Sequence, residues 1–226
     1  MRNAAFIFTW INEDKHLKSF LETIRKPEVG RARSRQIRGT LIIMLFGFLL
    51  GVVQKRIDGN ANIPSFLQSL DIANYFGRLS IWILLGTVLS VYAETPLRAG
   101  INTSLFFLSM IAGYYLYCHY VLGFLPKQYM MMWVAISFAS FFLAQLCWYA
   151  KGRGPIAVLL SGGILGVLFA HTFNITRGFY VYHWLEIPTW LAGVIVLKRK
   201  PTEFAIELGL SVAVAFVCEL VIPHWG

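Results

Sequence analysis

The chain has 226 residues, of which 57% are hydrophobic and 14% are charged, and its mean hydropathy is +0.62. Soluble proteins carry about 25% charged residues, so this composition excludes a soluble globular domain and predicts an all-α fold, a polytopic membrane helix bundle. The segments between the apolar runs are too short for a separate extramembrane domain. A functional site is therefore expected within the bundle or at its edge.

The net charge of +9 does not indicate nucleic-acid binding, because nine of the twenty Lys and Arg residues precede position 39. A basic segment directly before the first apolar run is typical of a cytoplasmic anchor at the anionic membrane surface. We therefore predict contact with the lipid bilayer and no nucleic-acid partner. The three cysteines lie inside apolar runs without CxxC spacing, which favours buried core residues.

The chain divides into a basic, amphipathic and cytoplasmic N-terminal segment (1–38) and a transmembrane bundle domain (39–226). Within the first segment, four apolar residues follow the i, i+3, i+4, i+7 spacing of an amphipathic helix: Leu17, Phe20, Leu21 and Ile24. We expect this helix to lie on the membrane surface.

Seven apolar runs predict about seven transmembrane helices. They cover approximately 39–53, 76–93, 99–125, 129–150, 156–173, 179–197 and 204–222. Glu186 and Pro188 interrupt the sixth run, which is therefore either kinked or late in starting, and six spans are expected if it is re-entrant. GxxxG pairs in the first and fifth runs, at Gly47 and Gly51 and at Gly162 and Gly166, predict close helix contacts.

The basic residues indicate the orientation, because cytoplasmic loops carry an excess of Lys and Arg. With seven spans, fifteen basic residues fall on the side of the N-terminus and five on the other side. We therefore predict a cytoplasmic N-terminus and an external C-terminus, in the plasma (inner) membrane.

The predicted topology brings many polar side chains into the outer half of the bundle, including four of the five histidines. Ionisable groups inside a span cost about 2.5–3.5 kcal/mol each, so they normally face a bundle interior or a cavity. We predict that the chain binds or transports a small molecule through such a cavity. The candidate ligand-binding residues are Arg78, Tyr114, Tyr117, His119, Tyr120, His171, Asn174, Tyr182, His183, Glu186 and Glu219.

Three alternatives remain open. The first is a purely structural aromatic belt, with Glu219 paired to Arg78. The second is an intramembrane enzyme acting at the outer leaflet, with a Cys nucleophile and a His base, or with a divalent metal as its cofactor. The candidate metal ligands would be His119, His171, His183 and Glu219, although no HxxxH or HExxH spacing supports them. The third is a non-catalytic subunit that docks a cytoplasmic or membrane partner protein.

A smaller polar group lies at the predicted cytoplasmic turn before the third run: Glu94, Thr95, Arg98 and Asn102. Pro96 within this group disfavours a continuous helix, so a tight turn is expected, in which Thr95 or Asn102 caps free backbone groups. The functional alternative is an inner gate or a docking site for a partner. On the last run, Glu207, Ser211, Ala215 and Glu219 form one stripe at four-residue steps.

Overall fold

A computed structural model describes residues 17–28, 32–58 and 69–221. Within these ranges residues 17–24 are helical, and eight further helices follow. They are α1 (Arg33–Asp58), α2 (Ile72–Tyr75), α3 (Leu79–Val91), α4 (Pro96–Val121), α5 (Lys127–Tyr149), α6 (Pro155–Thr172), α7 (Glu186–Leu197) and α8 (Pro201–Val221). Two short strands, β1 (Phe173–Asn174) and β2 (Tyr180–Val181), pair antiparallel between α6 and α7.

Five of these helices, α1, α4, α5, α6 and α8, are long and apolar enough to cross a membrane. The chain is thus an all-helical, membrane-type bundle. Helices α3 and α7 have 13 and 12 residues, which at about 1.5 Å per residue is shorter than a hydrocarbon core of about 30 Å. The count of seven spans stays a prediction for these two helices.

The helix in the sixth apolar run begins later than the run itself. The run was expected from residue 179, but β2 and a turn occupy its beginning, and α7 begins only at Glu186. Gly178 has a φ of 108°, a backbone conformation that glycine adopts without strain. A carboxylate in the first helical turn is also favourable, because the N-terminus of a helix carries partial positive charge.

Successive helices alternate in direction, so the bundle has two ends. At one end, which we call the Arg98 end, Gln36 contacts Glu94, and Arg199 contacts Gly152. At the other, the Glu186 end, Lys55 contacts Tyr114. Helix α1 packs mainly on α4 and α8 mainly on α6, while the short α3 lies between α4, α5, α6 and α7. The short helix is therefore enclosed by longer ones.

The GxxxG pairs lie at the two largest helix contacts, as predicted. A Cβ added at Gly47 would lie 2.5 Å from the carbonyl oxygen of Phe106 on α4. A Cβ added at Gly166 would lie 2.6 Å from Cβ of Val214 on α8. Only glycine permits these backbones to approach so closely.

The polar stripe on α8 is also confirmed, because its four members are the buried residues of that helix. The amphipathic N-terminal helix remains a prediction, since part of it lies outside the described residues. Of its apolar face, Ile24 is buried, whereas Leu17 and Phe20 are more than half exposed.

Cysteine labelling tests whether α7 crosses the membrane. In a chain whose native cysteines are replaced by serine, we expect Arg177→Cys and Lys200→Cys to react with an impermeant maleimide from opposite sides. Both positions are exposed and lie on either side of α7. Arg153→Cys, in the turn before α6, is the reference and should behave like Lys200→Cys. Equal accessibility of positions 177 and 200 in intact cells would show that α7 does not cross.

Candidate functional site

A buried ion pair joins the beginnings of α3 and α7. Nε of Arg78 lies 2.7 Å from Oε1 of Glu186, whose side chain is fully buried. The hydroxyl of Ser80 donates a short hydrogen bond to the second carboxylate oxygen of Glu186. The backbone carbonyl of Glu186 accepts a hydrogen bond of 3.2 Å from Thr172 at the end of α6. One glutamate therefore connects three helices.

The guanidinium of Arg78 continues this network to the short helix α2. Its Nη1 lies 3.0 Å from Oδ2 of Asp71, which also accepts a hydrogen bond from Asn74 at Oδ1. Burial disfavours the charged carboxylate, but the hydrogen bonds from Arg78 and Asn74 outweigh it and lower the pKa of Asp71. Tyr75 hydrogen-bonds Thr189 of α7 at 2.6 Å. These contacts fix the segment before α3 against α7.

The remaining polar residues near this pair stabilise the β1–β2 turn. Asn174 donates to the hydroxyl of Tyr182 at 2.6 Å and accepts from the backbone of Arg177 at 2.9 Å. The carboxylate of Glu219 accepts backbone hydrogen bonds of 3.0–3.1 Å from Ile175 and Thr176. The pairing of Glu219 with Arg78, which belonged to the aromatic-belt alternative, is not found: Arg78 pairs with Glu186, and Glu219 caps the turn.

The predicted aromatic residues of α4 lie in a separate group. The hydroxyl of Tyr114 donates to Oδ2 of Asp58 at 3.1 Å, and Nζ of Lys55 lies 2.7 Å from the same oxygen. The end of α1 is thus tied to the end of α4. Tyr114 joins this α1–α4 group and not the network around Glu186.

Five further predicted residues are not brought into one site. Tyr120 is 78% exposed, and His119 is exposed and lines a shallow apolar groove between α4 and α5. Tyr117 and His183 are half-buried, and the carboxylate of Asp71 interacts electrostatically with His183. His171 is buried, with its Nδ1 2.9 Å from the carbonyl oxygen of Val167. The eleven predicted residues therefore belong to several local networks.

Among the described residues, no group of three or more His, Cys, Asp or Glu side chains could hold a metal ion. The alternative metal site made of His119, His171, His183 and Glu219 is therefore not assembled. His224 lies outside the described residues. Cys118 is fully buried in an apolar cluster with Ile111 and Tyr115, which is the environment of a core cysteine.

A cavity with a volume of about 640 Å³ lies between α3, α4 and α5. Of the predicted ligand-binding residues, only Tyr114 lines it among those described. Its walls are mainly apolar and aromatic, with Trp82 on α3, Phe107 on α4 and Trp133 on α5. Exposed residues of α5 such as Ile136 and Leu143 also line it, so the cavity reaches the lateral surface of the bundle.

Polar groups of the cavity occur at two levels. Towards the Glu186 end lie Gln54 and Asp58, beside Tyr114. Deeper in the bundle lie the buried hydroxyls of Thr87, Ser90 and Thr103. The hydroxyl of Ser90 donates to the carbonyl of Gly86 at 2.6 Å, and a hydroxyl oxygen that donates keeps its acceptor capacity. Sequence reasoning missed these hydroxyls because each is also an ordinary helix residue.

The predicted turn group lies at the Arg98 end. Thr95 caps α4 by accepting a hydrogen bond of 3.2 Å from the backbone of Arg98. The guanidinium of Arg98 donates to the carbonyl of Gln36 at 2.6 Å, and Thr40 contacts Asn102 at 2.8 Å. Gln36 also donates to the carboxylate of Glu94 at 2.9 Å. The group joins the beginnings of α1 and α4, and its role as a gate stays a prediction.

Arg25 bridges two helix ends at the Arg98 end of the bundle, next to the cavity. Its guanidinium donates to the carbonyls of Trp148 at 2.6 Å and Val91 at 2.9 Å, which are the ends of α5 and α3. It also stacks on the Trp148 ring, 4.1 Å from its centroid. The neighbouring residues Ser90 and Cys147 line the cavity. The sequence did not single out Arg25, because it is one of nine basic residues before position 39.

No protein-family model matches the sequence, and no curated protein or solved structure is significantly similar to it.

The capping of the turn by Glu219 can be tested by hydrogen exchange. Glu219→Gln removes the charge and one of two acceptor oxygens, and hydrogen bonds to charged groups contribute about 1.5–3 kcal/mol. We expect amide exchange in residues 173–178 to become about tenfold faster. Glu203→Gln, at the beginning of the same helix, should leave that exchange unchanged. Unaltered exchange in Glu219→Gln would contradict the capping role.

Proposed function

We propose that this chain is an integral membrane protein that binds a small, mainly apolar and amphipathic molecule in the cavity between α3, α4 and α5. The main support for this proposal is the size of the cavity. Its volume of about 640 Å³ lies in the range of roughly 300–1,000 Å³ that is typical of small-molecule sites. Apolar walls with a few polar groups are also typical of such sites.

The distribution of polar groups supports an amphipathic ligand. Asp58 and Gln54 can receive a polar head near the Glu186 end, while the aromatic walls surround an apolar body. The hydroxyls of Thr87, Ser90 and Thr103 offer acceptors at the deeper level. A fully apolar lipid tail would leave these groups without a ligand partner, so we propose a compact molecule with polar groups.

The route into the cavity is proposed to be lateral. Ile136 and Leu143 both line the cavity and are exposed on the surface of α5. A molecule dissolved in the bilayer could therefore enter between α3 and α5. Passage through the whole bundle would require the Arg98 end to open, and Arg25 bridges α3 and α5 there. Binding is thus the primary proposal, and transport would need this bridge to break.

We further propose that the Arg98 end faces the cytoplasm in the plasma (inner) membrane. Most of the basic residues lie at this end, including Arg33, Arg35 and Arg38 at the beginning of α1. This distribution agrees with the excess of basic residues in cytoplasmic loops. The part of the cavity near Asp58 would then lie in the outer half of the membrane.

Filling the cavity tests the proposed function. A Cβ added at Gly86 meets the Phe107 ring at 3.5 Å, an ordinary contact, so Gly86→Leu should enter the cavity without displacing the backbone. We expect the variant to lose at least tenfold in affinity for the neutral fluorescent probe N-phenyl-1-naphthylamine, measured on purified protein. A loss of tenfold corresponds to about 1.4 kcal/mol.

The matched control is Gly209→Leu on α8, where an added Cβ meets nothing within 4 Å. This variant makes the same chemical change on the exposed surface and should retain wild-type affinity. Equal affinity of the wild-type and Gly86→Leu proteins, with unchanged thermal stability, would contradict binding in the cavity.

A further inference from the structure

We infer that the cavity selects amphipathic cations over anions. This inference rests on the proposed function and specifies the ligand class of the same site. It depends on the charge of the cavity lining, on the position of one carboxylate and on the aromatic side chains around it.

Asp58 is the one charged side chain among the described residues that line the cavity. Residues 59–68, which follow it and lie outside the described part, contain no charged residue in their sequence. A cationic head group entering the cavity therefore meets a carboxylate. An anionic head group meets no positive charge in the described lining, and it would lose its hydration without compensation.

Lys55 holds this carboxylate in place from outside the cavity. Its Nζ lies 2.7 Å from Oδ2 of Asp58, and the Tyr114 hydroxyl donates to the same oxygen at 3.1 Å. The Lys55 side chain is 11% exposed, whereas that of Asp58 is 48% exposed. Asp58 lines the cavity and Lys55 does not. The negative pole of the pair is thus the one presented to a ligand.

The aromatic residues near Asp58 suit a cation as well. Tyr114, Tyr115, Tyr129 and Trp133 line the cavity, and aromatic ring faces attract cations within about 6 Å. The Tyr114 ring already faces the ammonium of Lys55, whose Nζ lies 5.0 Å from its centroid, so the rings of Tyr115, Tyr129 and Trp133 are the ones left for a ligand cation. This end of the cavity can therefore surround an ammonium or phosphonium group with rings and one carboxylate.

The orientation of α1 also favours a cation over an anion near Asp58. Asp58 is the last residue of α1, and the C-terminus of a helix carries partial negative charge from its free carbonyls. Lys55 neutralises part of the carboxylate charge. We therefore expect a preference of about tenfold, and not an absolute selection.

Two ions of nearly equal size and opposite charge test the inference. Equilibrium dialysis of the full chain in detergent would measure binding of tetraphenylphosphonium and tetraphenylborate, with Gly86→Leu as the background for both. We expect the wild-type protein to bind the cation about tenfold more tightly than the anion. Asp58→Asn should remove this preference, and Asp71→Asn, a carboxylate outside the cavity lining, should retain it.

Equal binding of both ions by the wild-type protein would overturn the inference, and so would an unchanged preference in a folded Asp58→Asn variant. If Asp58→Asn does not fold, the wild-type ratio decides. Binding of the neutral probe distinguishes a failure of charge selection from a failure of the proposed binding function. If the neutral probe binds and depends on Gly86 while the ions are not distinguished, only the charge selection fails. If the neutral probe does not bind either, the proposed function fails.

Discussion

The buried ion pair between Arg78 and Glu186 is the interaction on which the centre of the bundle depends. Each residue stands at the beginning of a short helix, α3 or α7, and the Glu186 side chain is fully buried there, where an isolated charge would be costly. Because they are paired, the two short helices can begin inside the bundle without an isolated charge. Removing one partner of a buried pair typically costs about 3–5 kcal/mol, because the other charge is left uncompensated.

The position of α3 in turn defines the cavity. Helix α3 forms one wall and α4 and α5 the others, and Arg25 bridges the ends of α3 and α5 at the opposite end of the bundle. The cavity is thus held between an ion pair at one end and a guanidinium bridge at the other. The proposed ligand would contact neither of these charges directly, since Arg78, Glu186 and Arg25 do not line the cavity.

Periodicity and glycine spacing predicted which helix faces meet, but not which polar groups pair. The stripe from Glu207 to Glu219 and the glycines at 47 and 166 could be read from sequence, because each pattern reports one face of one helix. The partner of Arg78 could not, since Glu186, at the beginning of α7, and Glu219, near the end of α8, both lie at the Glu186 end of the bundle. Topology alone could not show that Tyr114 lines the cavity while the described histidines do not, because topology gives the depth of a residue, whereas its lateral neighbours depend on side-chain packing.

A double-mutant cycle tests the central role of the ion pair most directly. Thermal unfolding would be measured for Arg78→Met, Glu186→Gln, the double variant and the wild-type protein. Each single variant should be strongly destabilised, and the double variant should be less destabilised than the sum, with a coupling of about 1–3 kcal/mol. Effects that add to within about 0.5 kcal/mol would contradict the pair as the interaction that positions α3 and α7.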